Sequence, residues 1–359
     1  MPRVFPWPVR MPDGLRRRIV AVYAILLLLN LLAWLWAVTL FRHQPVLLGT
    51  ALLAYGFGLR HAVDADHIAA IDNVTRRLMA DGERPVGVGL FFALGHSAVV
   101  ILATAAVAAA VTALSGTALA GSLDRFRSVG SIVGTAVSAS FLFAIAIANL
   151  VVLRGVWRTY RHARRGGCAA EADPGGPPDG GGALATLFRP LFRLVRRSWH
   201  MFPLGFLFGL GFDTATEVAL LGIGATEAAR GVSAWAIMVF PALFAAGMSL
   251  IDTTDGILML GAYDWALARP ERRLGYNLVV TAVSVAVAAG VGGVEALGLL
   301  ADRLDAKGRF RDAVGALNDR FDALGFAIVG LFVVCWIGSA IAFRYRGWTG
   351  TADAVSGKG

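Results

Sequence analysis

The chain has 359 residues, of which 57% are hydrophobic and 16% charged, with a mean hydropathy of +0.66 and a formal net charge of +9 at pH 7. Soluble domains carry about 25% charged residues, so this composition excludes one and fits a polytopic, all-α membrane protein embedded in a lipid bilayer. Its two cysteines, Cys168 in a loop and Cys335 in the last apolar stretch, imply no disulfide framework.

Eight stretches are long and apolar enough to cross about 30 Å of hydrocarbon at about 1.5 Å per residue. They cover residues 19–41, 47–71, 86–114, 128–153, 201–226, 232–260, 276–300 and 321–343. The first has 23 residues without a charge, too long for the core of a cleaved signal, and reads as a retained helix. Arg3, Arg10, Arg16, Arg17 and Arg18 precede it and place the N-terminus in the cytoplasm.

The second stretch holds the run Gly58-Leu59-Arg60-His61-Ala62-Val63-Asp64-Ala65-Asp66-His67-Ile68. A carboxylate at the centre of an inserted helix costs about 2.5–3.5 kcal/mol, so ionisable groups at this depth need a function or a partner. Imidazole with carboxylate is a ligand set for a first-row transition metal. On an undistorted helix, three residues turn a side chain by about 300°, which leaves His61, Asp64 and His67 on one stripe and turns Asp66 away. Such a stripe is too tall for both imidazoles to reach one ion at about 2 Å. Either the helix unwinds near Gly56 and Gly58, or the stripe offers two sites in succession. Arg60, four residues before Asp64, is placed to neutralise it.

The third stretch carries Leu94-Gly95-His96-Ser97, a histidine at matching depth. In the fourth, Gly130, Gly134 and Ser138 form a small-residue stripe suited to close helix packing. A long connection follows (155–198), basic at both ends and rich in Gly and Pro between, which reads as a flexible cytoplasmic loop dividing one transmembrane domain (1–359) into two four-helix halves.

The fifth stretch carries Leu210-Gly211-Phe212-Asp213-Thr214-Ala215-Thr216-Glu217, and the sixth Gly247-Met248-Ser249-Leu250-Ile251-Asp252-Thr253-Thr254-Asp255-Gly256. Were Asp64, Asp66, Asp213, Glu217, Asp252 and Asp255 all to face lipid while ionised, the penalty would be on the order of 15–20 kcal/mol, more than a typical fold's stability. They must face one another, a cation or a water-filled path. Glu295 in the seventh stretch is a solitary intramembrane acid. His43, His162 and His200 lie in or beside loops and read as surface residues.

Alternating from a cytoplasmic N-terminus, the inner segments carry 23 Lys and Arg and the outer ones 9, and both termini fall inside. The basic balance is thus a topology signal and a contact for anionic lipid, with no nucleic acid implied. The halves also share a pattern. Phe57-Gly58-Leu59 followed by Asp66 matches Phe208-Gly209-Leu210 followed by Glu217, and Gly95-His96-Ser97 matches Gly247-Met248-Ser249. The matched spans are displaced by three, which inverts orientation and predicts an inverted three-helix repeat, spans 2–4 against 5–7, with a site at the midplane. No phosphate-cradling glycine loop is present and no ATPase subunit is evident in this chain, so transport would draw on an ion gradient, the membrane potential or a separate subunit.

At these residues the chain resembles the nickel/cobalt transporter family, the eight-helix high-affinity nickel permeases of bacteria. The family's His-x-x-x-x-Asp-His pattern is met by His61, Asp66 and His67. Its Leu-Gly-His-Ser element is met by 94–97, its Leu-Gly-Phe-Asp-Thr-Ala-Thr-Glu element by 210–217, and its Gly-Met-Ser-x-x-Asp-Thr-x-Asp-Gly element by 247–256. The resemblance covers essentially the whole chain. It implies gradient-driven import of Ni2+ or Co2+ across the bacterial inner membrane, closest to the hydrogenase-linked permeases, with the metal as substrate and no resident cofactor. The residues themselves give a less selective ligand set, His61, Asp64, Asp66, His67, His96, Asp213, Glu217, Met248, Asp252 and Asp255, which suits Ni, Co, Zn or Cu. The rival reading is an enzyme. His61 and Asp66 also fit the His-x-x-x-x-Asp pair of membrane acyltransferases, and an intramembrane metalloenzyme is a further alternative. The first has no need of the acids of the fifth and sixth stretches, and for the second nothing reads as an obvious base beside an open metal position.

Overall fold

A computed structural model describes residues 13–113, 195–210, 215–267 and 270–303 continuously, most of 135–155, and isolated positions at 132, 157, 161 and between 312 and 334. Every regular element among the described residues is a helix.

Helix α1 (Asp13–Phe41) opens with an acid in its first turn, which complements the helix dipole. It buries Leu26, Asn30, Ala33, Ala37 and Phe41 at three- and four-residue spacing, a single face. The opposite face exposes Leu27, Leu28, Leu31 and Leu35, a surface that only hydrocarbon would cover without penalty. Helix α2 (Pro45–His61) starts on a proline, whose missing N–H costs nothing in a first turn.

Helix α3 (Ala65–Ala80) continues α2 after a three-residue break and a bend of 51°. The turn at Gly82, with φ of +83° open to glycine, leads to α4 (Val88–Ala113). Helix α5 covers Thr135–Gly155. A single turn at Ser198–His200 opens onto α6 (Met201–Gly209), followed by α7 (Ala215–Ala229). A short turn capped by Ser233 leads into α8 (Val239–Leu267), and α9 (Pro270–Arg303) follows.

Among the described residues, five helices are long and apolar enough to cross a membrane, and the bent α2–α3 pair makes a sixth candidate. The fifth expected span is carried by α6 and α7, with 211–214 between them outside the described residues. Most of the eighth expected span, most of the 155–198 loop, and Gly130 and Gly134 also lie outside them. Two expectations are corrected. The second span is no continuous helix, and its break falls at Ala62–Asp64 rather than near Gly56 and Gly58. Nor does it end at Ile71: α3 runs to Ala80 and buries Asp72, Asn73 and Thr75.

The centre of the molecule is α4 packed on α8. The two run antiparallel: Gly89 near the start of α4 lies against Asp252 and Gly256 of α8, whereas His96, two turns on, reaches the ring of His61 that packs on Phe244. Helices α6 and α7 pack on α4, α2 and α3 pack on α8, and α1 and α9 lie outside these. Glycine makes the closest approaches possible. A Cβ on Gly58 would stand 2.1 Å from the Phe244 carbonyl oxygen, and one on Gly95 would stand 1.9 Å from that of Phe202.

Candidate metal centre

The break between α2 and α3 determines where the histidines go. His61 is the last residue of α2, and Asp64, extended with ψ of 146°, is the residue before α3. The chain turns between them, so His67, which a straight helix would hold a turn and a half away, swings back until its ring centroid is 4.7 Å from that of His61. His96 of α4 joins them, 4.8 Å from both rings. One nitrogen from each of the three lies within 4.8 Å of the others, and all three side chains are buried.

Each imidazole has two nitrogens, and the surrounding acids divide their roles. His61 Nδ1 is 2.8 Å from Asp64 Oδ2, and His67 Nδ1 is 3.2 Å from Asp252 Oδ2. With both Nδ1–H groups donating to carboxylates, both Nε2 atoms keep their lone pairs. This is how a carboxylate fixes the tautomer and ring orientation of a metal-binding histidine. His67 Nε2 and His96 Nδ1 have no hydrogen-bond partner among the described residues. His96 Nε2 lies 2.9 Å from Glu217 Oε1 in the first turn of α7, and 3.0 Å from His61 Nε2. His61 Nε2 and Glu217 Oε1 are 3.9 Å apart.

Donor atoms bound about 2.1 Å from one ion stand about 3.0 Å apart at right angles and about 4.2 Å apart when opposite. The separations around His61, His96 and Glu217 fall at or between these values, so these atoms could share one cation with little movement, and His67 offers a nitrogen within 4.8 Å of one on each of the other two rings. Without a cation the same atoms are held together by hydrogen bonds from the His96 ring.

Of the remaining candidates, Asp66 sits half-buried in the first turn of α3. Met248 is fully buried on α8, one turn from Phe244, which packs on His61, and one turn from Asp252, which holds His67. Asp255, a further turn along, is half-buried, with an oxygen that has no partner among the described residues. Asp213 lies outside the described residues. Arg60 is exposed near the end of α2, and Asp64 lies against His61 Nδ1.

A polar group that the sequence left in a loop lies further along α3. Asp72 accepts hydrogen bonds from the hydroxyls of Tyr263 and Ser284, and Arg76 donates to Thr281. Their signal was the four-residue spacing of Asp72 and Arg76, which continues a helix past Ile71. Glu295 is held by the Ser138 hydroxyl at 2.9 Å, so the serine of the small-residue stripe also serves as a donor.

Residues 47–342 match the family described as high-affinity nickel-transport protein. The chain belongs to that family. It is 59% identical, over 92% of its length and 93% of the relative's, to a high-affinity nickel transport protein of Cupriavidus necator. It is 52% identical to the hydrogenase nickel incorporation protein HupN of Bradyrhizobium diazoefficiens, over 90% and 84% of the two chains. A cobalt transport protein, NhlF of Rhodococcus rhodochrous, is 41% identical over 82% of each chain. No solved structure matches. Members of this family are metal-ion transporters of the membrane and not enzymes, which disposes of the acyltransferase and metalloenzyme alternatives.

Proposed function

We propose that this protein is a secondary permease that imports Ni2+, with Co2+ as its second substrate, across the bacterial inner membrane through a centre formed by His61, His67, His96 and Glu217. The observation that carries the reading is the convergence of three buried imidazoles at a helix break, two of them with their outer nitrogens held by Asp64 and Asp252. A buried apolar site with neutral imidazoles would have no reason to assemble four carboxyl and imidazole groups within hydrogen-bond distance. A transported divalent cation supplies that reason.

The chemistry follows from the donor set. Three neutral nitrogens and one carboxylate replace the hydration shell of a borderline cation while leaving open positions for entry and exit. Donors near right angles suit Ni2+ better than the tetrahedral arrangement that zinc prefers. Asp64 and Asp252 then act through the rings they orient. Met248, Asp66 and Asp255 flank the centre as further stations, and Asp213 belongs with them by its place in the motif. Both termini face the cytoplasm in this reading, and the 155–198 loop is a flexible cytoplasmic tether within one transporter domain.

The packing supports an inverted repeat as the source of movement. The units are spans 2–4 (α2 with α3, then α4 and α5), which map onto spans 5–7 (α6 with α7, then α8 and α9). Under that mapping the contacts of α4 with α6 and α7 become those of α8 with α2 and α3, and the α4–α8 contact maps onto itself. Each three-helix unit would rock against the other about the shared centre.

Radiolabelled nickel uptake by proteoliposomes holding the full chain tests the reading, with Co, Zn, Cu and Mn as competitors. Saturable Ni2+ uptake, inhibited most strongly by Co2+ and abolished in His61→Ala, is the expected result. Uptake that survives loss of His61, or that zinc and copper suppress more strongly than cobalt, would overturn it.

A further inference from the structure

Two phenylalanines bracket the histidine centre from opposite ends, and they occupy matched positions in the two halves. Phe92 stands four residues before His96 on α4, and Phe244 stands four before Met248 on α8, within the parallel runs Phe92-Ala93-Leu94-Gly95-His96-Ser97 and Phe244-Ala245-Ala246-Gly247-Met248-Ser249. Both are fully buried. The ring of Phe92 packs edge-on to His67, with centroids 4.8 Å apart, and that of Phe244 lies 5.5 Å from His61. Because α4 and α8 are antiparallel, one turn back along each helix leads in opposite directions. Phe92 closes the end of the centre toward Gly89, Asp252 and Gly256, and Phe244 closes the other.

The backbone behind each ring repeats the match. A Cβ on Gly58 of α2 would stand 2.1 Å from the Phe244 carbonyl oxygen, and a Cβ on Gly205 of α6 would stand 2.1 Å from that of Phe92. Each phenylalanine therefore rests directly on the first helix of the two-helix element belonging to the opposite unit. A change of angle at the α2–α3 break moves Gly58, and with it the seat of Phe244, and the corresponding change between α6 and α7 moves the seat of Phe92. Behind Phe92 the plug is thickened by Phe208, 5.3 Å away, and by Phe141, 5.9 Å from Phe208.

We propose that Phe244 and Phe92 are the two alternating gates of the permease, each ring sealing the metal centre from one side of the membrane while the other swings clear. An apolar ring across a narrow path excludes the water that a divalent cation needs on leaving its ligands, so the ion passes only where the ring has moved. This rests on the transport reading above, because gates have meaning only if an ion passes through the histidine centre.

The test uses membrane vesicles of both orientations containing the full chain, with radiolabelled Ni2+ as the probe. Wild type and the His67→Ala variant, expected not to transport, calibrate each preparation. In Phe244→Ala, initial capture of Ni2+ should rise by about threefold or more from one face only, and in Phe92→Ala from the opposite face only, because removing a ring opens one end of the path. The double variant should equilibrate Ni2+ across the membrane instead of accumulating it. Phe244→Leu and Phe92→Leu keep apolar bulk and should show the same sidedness in weaker form, which holds the test open should an alanine variant fail to insert. If wild type accumulates Ni2+ and His67→Ala does not, yet the phenylalanine variants speed capture from neither face or from both alike, the gates are refuted and the permease stands. If wild type itself fails to accumulate Ni2+, or His67→Ala accumulates it normally, the transport reading fails and takes the gates with it.

Discussion

The nitrogens of the three histidines meet different neighbours, and the acids that surround them are not interchangeable. Asp252 holds His67 by Nδ1 and Asp64 holds His61 by Nδ1, whereas Glu217 reaches the inner nitrogens of His61 and His96. Asp252→Asn keeps a hydrogen-bond acceptor for the His67 ring but removes the charge, and should weaken Ni2+ affinity by about 10–100-fold, the usual effect of losing such a partner. Glu217→Gln would remove a proposed donor to the ion itself and should cost more than Asp252→Asn. Equilibrium binding of Ni2+ to the purified variants checks the order, and equal losses would erase the distinction between holding a ring and holding the metal. Because ligating imidazoles must be unprotonated, protons and Ni2+ compete, and apparent affinity should fall as pH is lowered from about 8 to about 5. Uptake measured across that range should show KM rising toward acid, and a flat profile would argue against imidazole ligation. All six of these side chains are legible in the sequence, because ionisable residues in apolar stretches stand out on cost alone. Their division of labour is not legible, since it depends on which ring nitrogen faces which acid, a matter of tertiary geometry.

At the scale of helices, the break between α2 and α3 builds the centre, and the glycines set how closely the helices approach. The sequence poses the problem the break solves, since a regular helix spreads His61 and His67 too far apart for one ion. It does not locate the break, because glycine is the usual mark of an interruption, and here Gly56 and Gly58 are helical while Ala62, Val63 and Asp64 turn the chain. Gly58 is needed for a different reason, its contact with the backbone of Phe244. Gly58→Ala should therefore push α2 from α8 and destabilise the protein by about 1–3 kcal/mol, the range for forced overpacking. Gly56→Ala, where nothing lies within 4 Å of the added Cβ, should be neutral or stabilising by up to about 1 kcal/mol, as for any alanine replacing a helical glycine. Thermal unfolding in detergent compares the two, and equal behaviour would remove the packing argument for Gly58. The extension of α3 through Asp72 and Arg76 was hidden for a related reason: hydropathy ends at Ile71, and the polar residues beyond it are buried by partners as distant in sequence as Tyr263 and Ser284.

Over the whole molecule, the two units of the proposed repeat meet at α4 and α8, and the proposed metal centre lies where they meet. The match between Phe57-Gly58-Leu59 and Phe208-Gly209-Leu210 is visible in the sequence, and the exchange of partners between the halves follows it. Crosslinking one unit to the other should therefore stop transport without preventing binding. A disulfide placed between α4 and α6, which pack together from opposite units, is expected to abolish Ni2+ uptake and leave Ni2+ binding within about twofold, with reduction restoring transport. Uptake unaffected by such a bridge would rule out rocking between the units. Transport through the histidine centre requires the ion to sit on those rings, and X-ray absorption at the nickel edge of the loaded, full-length protein reads that most directly. The prediction is a first shell of nitrogen and oxygen with the multiple scattering of three imidazoles, matching His61, His67 and His96, and a loss of one imidazole in His96→Ala. A shell without imidazole scattering, or one unchanged by removing His96, would contradict the account.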